Sequence, residues 1–169
     1  PAITDDDIRM LIHEGEQMGV FESEEKAIVE KVLNIGDMKV NALMKSRSEV
    51  EWIDISASPK EVQRMVIKHP YSHFPICDGG LDSVVGLMRT DTYLAETLNS
   101  DKPVDIRSVA QTPLLVPENK KVLEVLELFK RKRIHMGIII DEYGGLQGIV
   151  TLTDILESIV GDIPNVDEV

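Results

Sequence analysis

A pattern of apolar and polar residues occurs twice along the chain. His73–Cys77 is followed by Val84–Met88, and the same alternation returns as His135–Ile139 followed by Leu146–Val150. The offset is constant, since 135 − 73 and 146 − 84 both give 62 residues. A repeat of this length, with two short apolar strands and flanking helices, is one supersecondary unit that buries its apolar face against its twin. The pattern predicts two packed copies, with function at the seam between them.

Each copy is predicted to form a β-α-β-β-α unit, because strand-like apolar runs alternate with amphipathic stretches and turn residues. The elements of the first copy are a strand at Val50–Ile55, a helix from Ser58 to Pro70, strands at Phe74–Cys77 and Val84–Met88 joined by a Gly79-Gly80 turn, and a helix at 91–98. The elements of the second copy are a strand at Leu114–Val116, a helix at 119–132, strands at Met136–Ile140 and Leu146–Val150, and a helix at 153–160.

The first 42 residues are acidic and carry helix signals without a strand signal. Thr4 and Asp7 can cap a first helix, and a second helix is expected between Ser23 and Gly36. The first helix has an apolar face and two glycines that are expected to end it: Ile8, Leu11 and Ile12, then Gly15 and Gly19. The predicted fold class is α+β, with two β-α-β-β-α repeats packed about a pseudo-twofold and preceded by this helical leader.

Four segments follow from the pattern: a helical leader at 1–42, repeats at 43–100 and 101–162, and an acidic tail at 163–169. Because the chain opens at Pro1 and closes on the acidic tail, we expect an excised fragment of a longer protein. No apolar run approaches the roughly 20 residues that span a bilayer, which predicts a soluble fragment.

The net charge of −12 on 169 residues argues against nucleic-acid binding, because nucleic-acid binders usually present a basic face. Free nucleotides need only a local cluster of donors and stay compatible with this charge. The single cysteine, Cys77, lies in an apolar strand and predicts a buried, inert thiol in a reducing compartment. No nucleophile, base and orienting acid stand at compatible positions and no Cys/His spacing suggests a metal site, so we expect neither an enzyme nor a metal centre.

A short signature closes the last strand of the second copy: Gly148-Ile149-Val150-Thr151-Leu152-Thr153-Asp154. Glycine, two apolar residues, threonine, two variable residues and aspartate make the chain resemble a tandem CBS-domain pair, or Bateman module. The leader, the phrase Asp-Glu-Tyr-Gly-Gly at 141–145 and the ending Ile-Val-Gly-Asp-Ile at 159–163 resemble the CorC/HlyC group of hemolysin-like magnesium and cobalt efflux proteins.

The resemblance implies a regulatory module, not an enzyme, that binds an adenine nucleotide, AMP or ATP, with or without Mg²⁺. It also implies a homodimer and a longer membrane protein, in which a membrane transport domain precedes this module on the cytoplasmic side of the cell membrane. A module that dimerises without binding nucleotide is the alternative. The preferred adenosine ligand, the transported ion and the conformational output stay open.

Thr151 and Asp154 carry the chemistry of the signature. A carboxylate at the start of a helix can accept hydrogen bonds from both ribose hydroxyls, and the threonine hydroxyl adds a donor or acceptor. The same residues can instead cap the helix and complement its dipole, and both roles can hold together. The resemblance implies that the first repeat completes this site with Tyr71, Ser72, His73, Phe74, Pro75 and Val50.

The residues that the first repeat would bring to this site form its predicted wall. The aromatic and basic members of that wall have two interpretations. Tyr71 or Phe74 would flank an adenine ring, and His73 or Lys45 would meet phosphate oxygens. Alternatively, the two rings are ordinary core aromatics and His73 is a surface residue.

The first repeat departs from the signature at the corresponding position. Alignment of Gly86 with Gly148 puts Arg89 where threonine is expected and Thr92 where aspartate is expected, with Asp91 one residue early. A shift of one residue at a helix start turns a side chain by about 100°, so ribose binding should be impaired there. The resemblance implies that the wall of this second, weaker site comes from Thr112, Pro113, Arg133 and His135.

Overall fold

Seven α-helices and two small β-sheets make up residues 2–161, the part of the chain that the computed structural model describes. The helices are α1 (Asp5–Gln17), α2 (Ser23–Ile35), α3 (Pro59–Lys68), α4 (Thr90–Asn99), α5 (Ile106–Val109), α6 (Val122–Lys132) and α7 (Leu152–Val160). The strands are β1 (Lys45–Ser46), β2 (Ile53–Asp54), β3 (His73–Cys77), β4 (Val84–Arg89), β5 (Ala110–Gln111), β6 (Leu114–Pro117), β7 (Met136–Ile140) and β8 (Leu146–Thr151). The predicted α+β class is confirmed. The predicted acidic tail at 163–169 lies outside the described residues.

The chain divides into two compact units, each drawn from separated stretches of sequence. The helical unit is the described part of Pro1–Leu43, Asn119–His135 and Thr151–Val169. The sheet unit consists of Met44–Glu118 and Met136–Val150, and therefore combines residues of both predicted repeats. None of the helices described in either unit has the length and hydropathy needed to cross a lipid bilayer.

Helices α1, α2, α6 and α7 build the helical unit, in which α1 packs on α2, and α7 packs on both α2 and α6. Helix α1 begins as predicted, because Thr4 Oγ1 accepts from the Asp7 amide and the Thr4 amide donates to Asp7 Oδ2. Ile12 is buried, but Ile8 and Leu11 are exposed. The predicted apolar face is therefore only partly used in this unit.

Gly15 does not end helix α1, contrary to the expectation from the sequence. The helix continues to Gln17, and Gly15 serves packing instead: a Cβ at this position would lie 2.7 Å from Phe21 Cδ2. Gly19 has a φ of +77°, a left-handed conformation that glycine adopts readily. The chain turns toward α2 at Gly19, the second of the two glycines that were expected to end the helix.

The sheet unit contains two four-stranded sheets, with strand orders β2-β3-β4-β5 and β1-β8-β7-β6. Strands β3, β4, β7 and β8 agree with the predicted strands to within one residue at each end. The sequence pattern does not predict β1 and β5. β1 precedes β2 in the chain but pairs with β8, and β5 precedes β6 but pairs with β4. The two sheets thus exchange their short edge strands.

The strand exchange explains the glycine that recurs in both copies. Gly148 lies opposite Ser46 in the β1–β8 ladder, and a Cβ on it would clash with the Lys45 carbonyl oxygen. A Cβ on Gly86, in β4, would lie 3.1 Å from the Cβ of Ala110 in β5. Each glycine therefore leaves room for the edge strand that crosses over from the other half of the chain.

The predicted strand at Val50–Ile55 is wrong in extent, since only Ile53–Asp54 is a strand. A 3-10 helix at Arg47–Glu49 precedes it, and Val50 caps that helix. This turn carries the chain from β1 in one sheet to β2 in the other, so the apolar run cannot stay in a single ladder. Val50 is buried instead in a cluster to which both repeats contribute: Val50, Leu87, Met136, Ile138, Leu146 and Ile149.

A second cluster of buried side chains covers the β2-β3-β4-β5 sheet: Ile53, Val62, Phe74, Ile76, Met88, Tyr93, Ile106 and Val109. Ser58 caps the helix that packs there, as predicted, with Ser58 Oγ accepting from the Glu61 amide. Cys77 is fully buried in β3, and burial raises the pKa of its thiol to about 11. The thiol is therefore protonated and unreactive near neutral pH.

Candidate functional site

Helix α7 of the helical unit begins at the signature, and Thr151 and Asp154 close its first turn. Thr151 Oγ1 accepts a hydrogen bond from the Asp154 amide at 3.1 Å, and the Thr151 amide donates to Asp154 Oδ2 at 2.9 Å. This reciprocal arrangement is a capping box, which satisfies two amides that the helix alone leaves unpaired. The capping role inferred from the sequence is thus present.

The capping box leaves part of the Asp154 carboxylate available. Oδ2 accepts from the Thr151 amide, whereas Oδ1 has no hydrogen-bond partner among residues 2–161. The side chain is half-buried, and the positive end of the α7 dipole lies at this turn. The carboxylate can therefore accept further hydrogen bonds from hydroxyl groups, which is the chemistry that a ribose with two adjacent hydroxyls requires.

In the sheet unit, Tyr71 lies at the centre of a small aromatic and basic group. Its ring stacks on His69, with centroids 5.6 Å apart and an angle of 11° between the planes, and its centroid lies 5.9 Å from that of Phe74. Lys45 Nζ donates to Tyr71 Oη at 3.2 Å and lies 4.6 Å from the ring centroid, a cation–π distance. Tyr71 is 38% exposed and Phe74 is fully buried. Of the two predicted aromatic wall residues, Phe74 belongs to the core and Tyr71 has accessible surface.

The other predicted wall residues of the sheet unit differ in accessibility. Ser72 is exposed, and its Oγ lies 2.9 Å from His73 Nδ1. Pro75 is buried in β3, and the side chain of Val50 is buried in the shared cluster. Pro75 and Val50 can therefore offer a ligand little more than main-chain groups.

The start of helix α4 shows how the first repeat departs from the signature. Arg89 occupies the N-cap position without making a side-chain cap. Its guanidinium donates to both carboxylate oxygens of Asp91, through Nε at 3.1 Å and Nη2 at 2.5 Å, and the Thr92 amide donates to Asp91 Oδ1. These hydrogen bonds, that from Arg89 above all, lower the pKa of Asp91. The carboxylate of the first repeat is therefore engaged in an ion pair.

The remaining residues assigned to the weaker site lie in both units. Thr112 and Pro113 connect β5 to β6 in the sheet unit, Thr112 being exposed and Pro113 half-buried. Arg133, in the helical unit, is the exposed cap of α6 and has a left-handed φ of 53°. The main-chain carbonyl of His135 accepts from the Leu152 amide at 2.9 Å.

Sequence reasoning does not single out His69. The structure stacks its ring on Tyr71 and places Nε2 3.7 Å from a carboxylate oxygen of Glu51. The only signal in the sequence is the short spacing from Tyr71, which does not by itself distinguish a stacked ring from a solvated one. The contact between Lys45 and Tyr71 joins residues 26 positions apart and has no local signal at all.

Known sequences resemble the chain over nearly its whole length. A sequence model of the CBS domain matches residues 106–161. UPF0053 protein sll0260 of Synechocystis sp. is 39% identical over 167 residues, which are 99% of this chain and 37% of that protein. UPF0053 inner membrane protein YoaE of Escherichia coli is 31% identical over 152 residues, which are 89% of this chain and 29% of that protein. The chain thus spans well under half the length of these two relatives.

Solved structures share the fold. The CBS domain of a bacterial CNNM/CorC family Mg²⁺ transporter has a TM-score of 0.84 at 25% identity, over 97% of this chain and 100% of that one. The CBS domain of such a transporter in complex with ATP gives 0.75 at 28% identity, over 82% and 99%. A CBS-domain pair with bound AMP from Klebsiella pneumoniae gives 0.67 at 30% identity, over 73% and 99%.

Proposed function

The chain belongs to the CBS-domain family as a tandem pair of the CorC/HlyC group, and on this premise we propose that it is a regulatory module that binds one adenine nucleotide. The ligand is AMP or ATP, with or without Mg²⁺. Similar CBS domains in complex with ATP and with AMP support this ligand class. The observation that carries the proposal is the Thr151–Asp154 pair, whose carboxylate keeps the Oδ1 atom without a partner among residues 2–161.

The ribose is the part of the ligand that Asp154 recognises. Two adjacent hydroxyls can donate to the two carboxylate oxygens, and hydrogen bonds to a charged acceptor are stronger than those between neutral groups. The capping box supports this role, because it fixes the carboxylate at the helix start before a ligand arrives. Helix capping and ribose binding are then two uses of the same rigid pair.

For the adenine and the phosphates, the family resemblance points to residues of the first repeat. The exposed part of the Tyr71 ring offers a stacking surface for adenine. Lys45 holds its ammonium against Tyr71 Oη, and a phosphate is a stronger acceptor than a phenol, so Lys45 would exchange this partner for a phosphate oxygen. We propose that Ser72 and His73, which the family resemblance assigns to the same site, also contact phosphate oxygens.

One nucleotide per chain is the expected stoichiometry. The first repeat has Arg89 and Thr92 in place of threonine and aspartate, and its nearest carboxylate, Asp91, already accepts hydrogen bonds from Arg89 and Thr92. Ribose hydroxyls would have to displace a charged guanidinium to bind there. The weaker site at Arg89, Thr92, Thr112, Pro113, Arg133 and His135 is therefore expected to stay unoccupied at moderate nucleotide concentrations.

The module is proposed to act on a membrane transport domain of the same full-length protein, from the cytoplasmic side of the cell membrane. Two findings support this: the chain spans 29% of a relative named as an inner membrane protein, and a similar CBS domain belongs to a Mg²⁺ transporter. Nucleotide occupancy would then be the signal that the transport domain receives.

A homodimer is the proposed assembly of the module. The surface of α6 carries a groove of about 400 Å³ whose lining combines two leucines with residues of both charges: Lys120, Leu123, Glu124, Glu127, Leu128 and Arg131. Such a surface suits a twofold contact, because each helix can place its cations against the carboxylates of the other. Sedimentation analysis tests it: the wild type should be dimeric and Leu123→Glu monomeric, and a monomeric wild type would contradict the proposal.

Thermal unfolding with added ligand tests the nucleotide proposal against the alternative, a module that dimerises without binding nucleotide. A ligand that binds only the folded state raises the melting temperature as its concentration rises, equivalent to about 2.7 kcal/mol at 100 times Kd. AMP or ATP should do so for this chain, whereas guanosine monophosphate serves as a control. An unchanged melting temperature with millimolar AMP, ATP and ATP with Mg²⁺ would favour the alternative.

A further inference from the structure

Arg47 connects three separate segments of the sheet unit through one guanidinium nitrogen. Its Nη1 donates to Asp82 Oδ1 at 2.6 Å and to the main-chain carbonyl of Leu146 at 2.9 Å. Arg47 follows β1, Asp82 lies in the turn between β3 and β4, and Leu146 begins β8. These contacts join residues 35 and 99 positions apart.

The bond to Leu146 extends a very short ladder. Strand β1 has only two residues, paired as Lys45 with Ile149 and Ser46 with Gly148. An antiparallel pair of this length is marginal alone. The Arg47 side chain adds a hydrogen bond to the same strand β8, and the ion pair with Asp82 holds the guanidinium in place.

The segment that Arg47 holds contains two residues assigned to the proposed nucleotide site, Lys45 and Val50. Lys45, two residues earlier, contacts Tyr71, and Val50, three residues later, donates its amide to the Arg47 carbonyl at 3.3 Å and enters the shared cluster. Within the segment, Ser46 Oγ and Ser48 Oγ lie 2.9 Å apart. Movement of Arg47 would therefore shift groups on both sides of it.

We propose that Arg47 is a positioning residue of the nucleotide site: it fixes the segment 45–50 against β8 and the β3–β4 turn, without itself contacting the ligand. The inference deepens the proposed function and rests on it. Arg47→Met keeps the aliphatic stem but removes both hydrogen bonds, and should weaken the affinity for AMP or ATP about tenfold. Arg47→Lys keeps a charged donor that can reach a carboxylate, and should restore most of that loss.

Two measurements keep this proposal separate from the proposed function and from a general loss of stability. Calorimetry gives the affinity of the wild type, Arg47→Met, Arg47→Lys and Asp82→Ala, with Arg64→Met as a matched control, because Arg64 is an exposed arginine of α3 in the same unit. Hydrogen exchange of the amides in 45–50, measured without nucleotide, reports directly whether the segment has loosened.

The expected result is faster exchange at 45–50 and weaker binding in Arg47→Met and Asp82→Ala, recovery in Arg47→Lys, and wild-type behaviour in Arg64→Met. Asp82 lies in an exposed turn, so its variant remains informative if Arg47→Met fails to fold. If the wild type binds nucleotide and either Arg47→Met or Asp82→Ala binds it equally well, the positioning role of Arg47 is overturned. The proposed function would stand in that case. A wild type that binds no nucleotide would overturn the proposed function and this inference with it.

Discussion

Thr151 and Asp154 hold each other in a reciprocal capping box at the start of helix α7, and the Oδ1 atom of Asp154 has no partner among residues 2–161. The pair thus stabilises the helix while keeping an acceptor for a ligand. Ser58 and Glu61 form the same box at the start of α3, where no signature accompanies it. The chain therefore contains its own control for separating the two roles.

Loss of either capping hydroxyl should destabilise the fold by a similar amount. Thr151→Ala and Ser58→Ala each remove an acceptor for a helix amide, at an expected cost of about 1 kcal/mol in the free energy of unfolding. Urea denaturation of the two variants measures this. A cost at Thr151 several times that at Ser58 would show that Thr151 does more for the folded state than cap a helix.

Gly148→Ala should destabilise the protein strongly, by roughly 1 to 3 kcal/mol or more. The new Cβ would meet the Lys45 carbonyl oxygen, and this main-chain atom cannot move without breaking the β1–β8 ladder. Gly80→Ala is the control, because a Cβ there has no heavy atom within 4 Å and Gly80 is not among the glycines with positive φ. Denaturation showing equal stability for the two variants would be inconsistent with the strand exchange.

Arg89→Thr combined with Thr92→Asp should create a second nucleotide site. The change rebuilds the spacing of Thr151 and Asp154 in the first repeat and removes the guanidinium that engages Asp91. Calorimetric stoichiometry should rise from one nucleotide per chain toward two. Asp91→Ala breaks the ion pair without rebuilding the signature, and should leave the stoichiometry at one.

A wild type that already binds two nucleotides per chain would show instead that the first site is intact.

Cys77 should resist alkylation in the folded protein and contribute to a loss of stability at high pH. Burial favours the neutral thiol and raises its pKa to about 11, above the value near 8.5 of an unfolded cysteine. The contribution to stability is complete below the unfolded pKa and is lost as the pH rises through the folded one. Mass spectrometry should detect iodoacetamide labelling at pH 8 in urea and little in buffer. Equally fast labelling in both would contradict the burial of the thiol.

Elements of the fold were predictable where a pattern of neighbouring residues is enough to specify the local structure. Strands β3 and β7 are apolar runs bounded by turn residues, and the caps Thr4 and Ser58 start helices directly. Strands β1 and β5 have two residues each, too few for a period-2 pattern to register. Their pairing depends on partners about a hundred and about twenty residues away, which no local signal reveals.

Parts of the candidate site were predictable to a similar degree. The signature locates Thr151 and Asp154, and a comparison of the two copies identifies the departure at Arg89. The stack of His69 on Tyr71 and the contacts of Arg47 arise from tertiary packing, so neither follows from the spacing of residues in the chain.

Titration calorimetry of AMP and ATP into the wild type, Asp154→Ala and Glu61→Ala is the most direct test of nucleotide binding at the α7 signature. Both variants lose the carboxylate of a capping box, so they should lose similar stability. Only Asp154→Ala should weaken nucleotide binding, by on the order of 2 to 4 kcal/mol, because it alone removes the acceptor of the ribose hydroxyls. Unchanged nucleotide affinity in a folded Asp154→Ala protein would reduce Thr151 and Asp154 to a helix cap and contradict the proposed site.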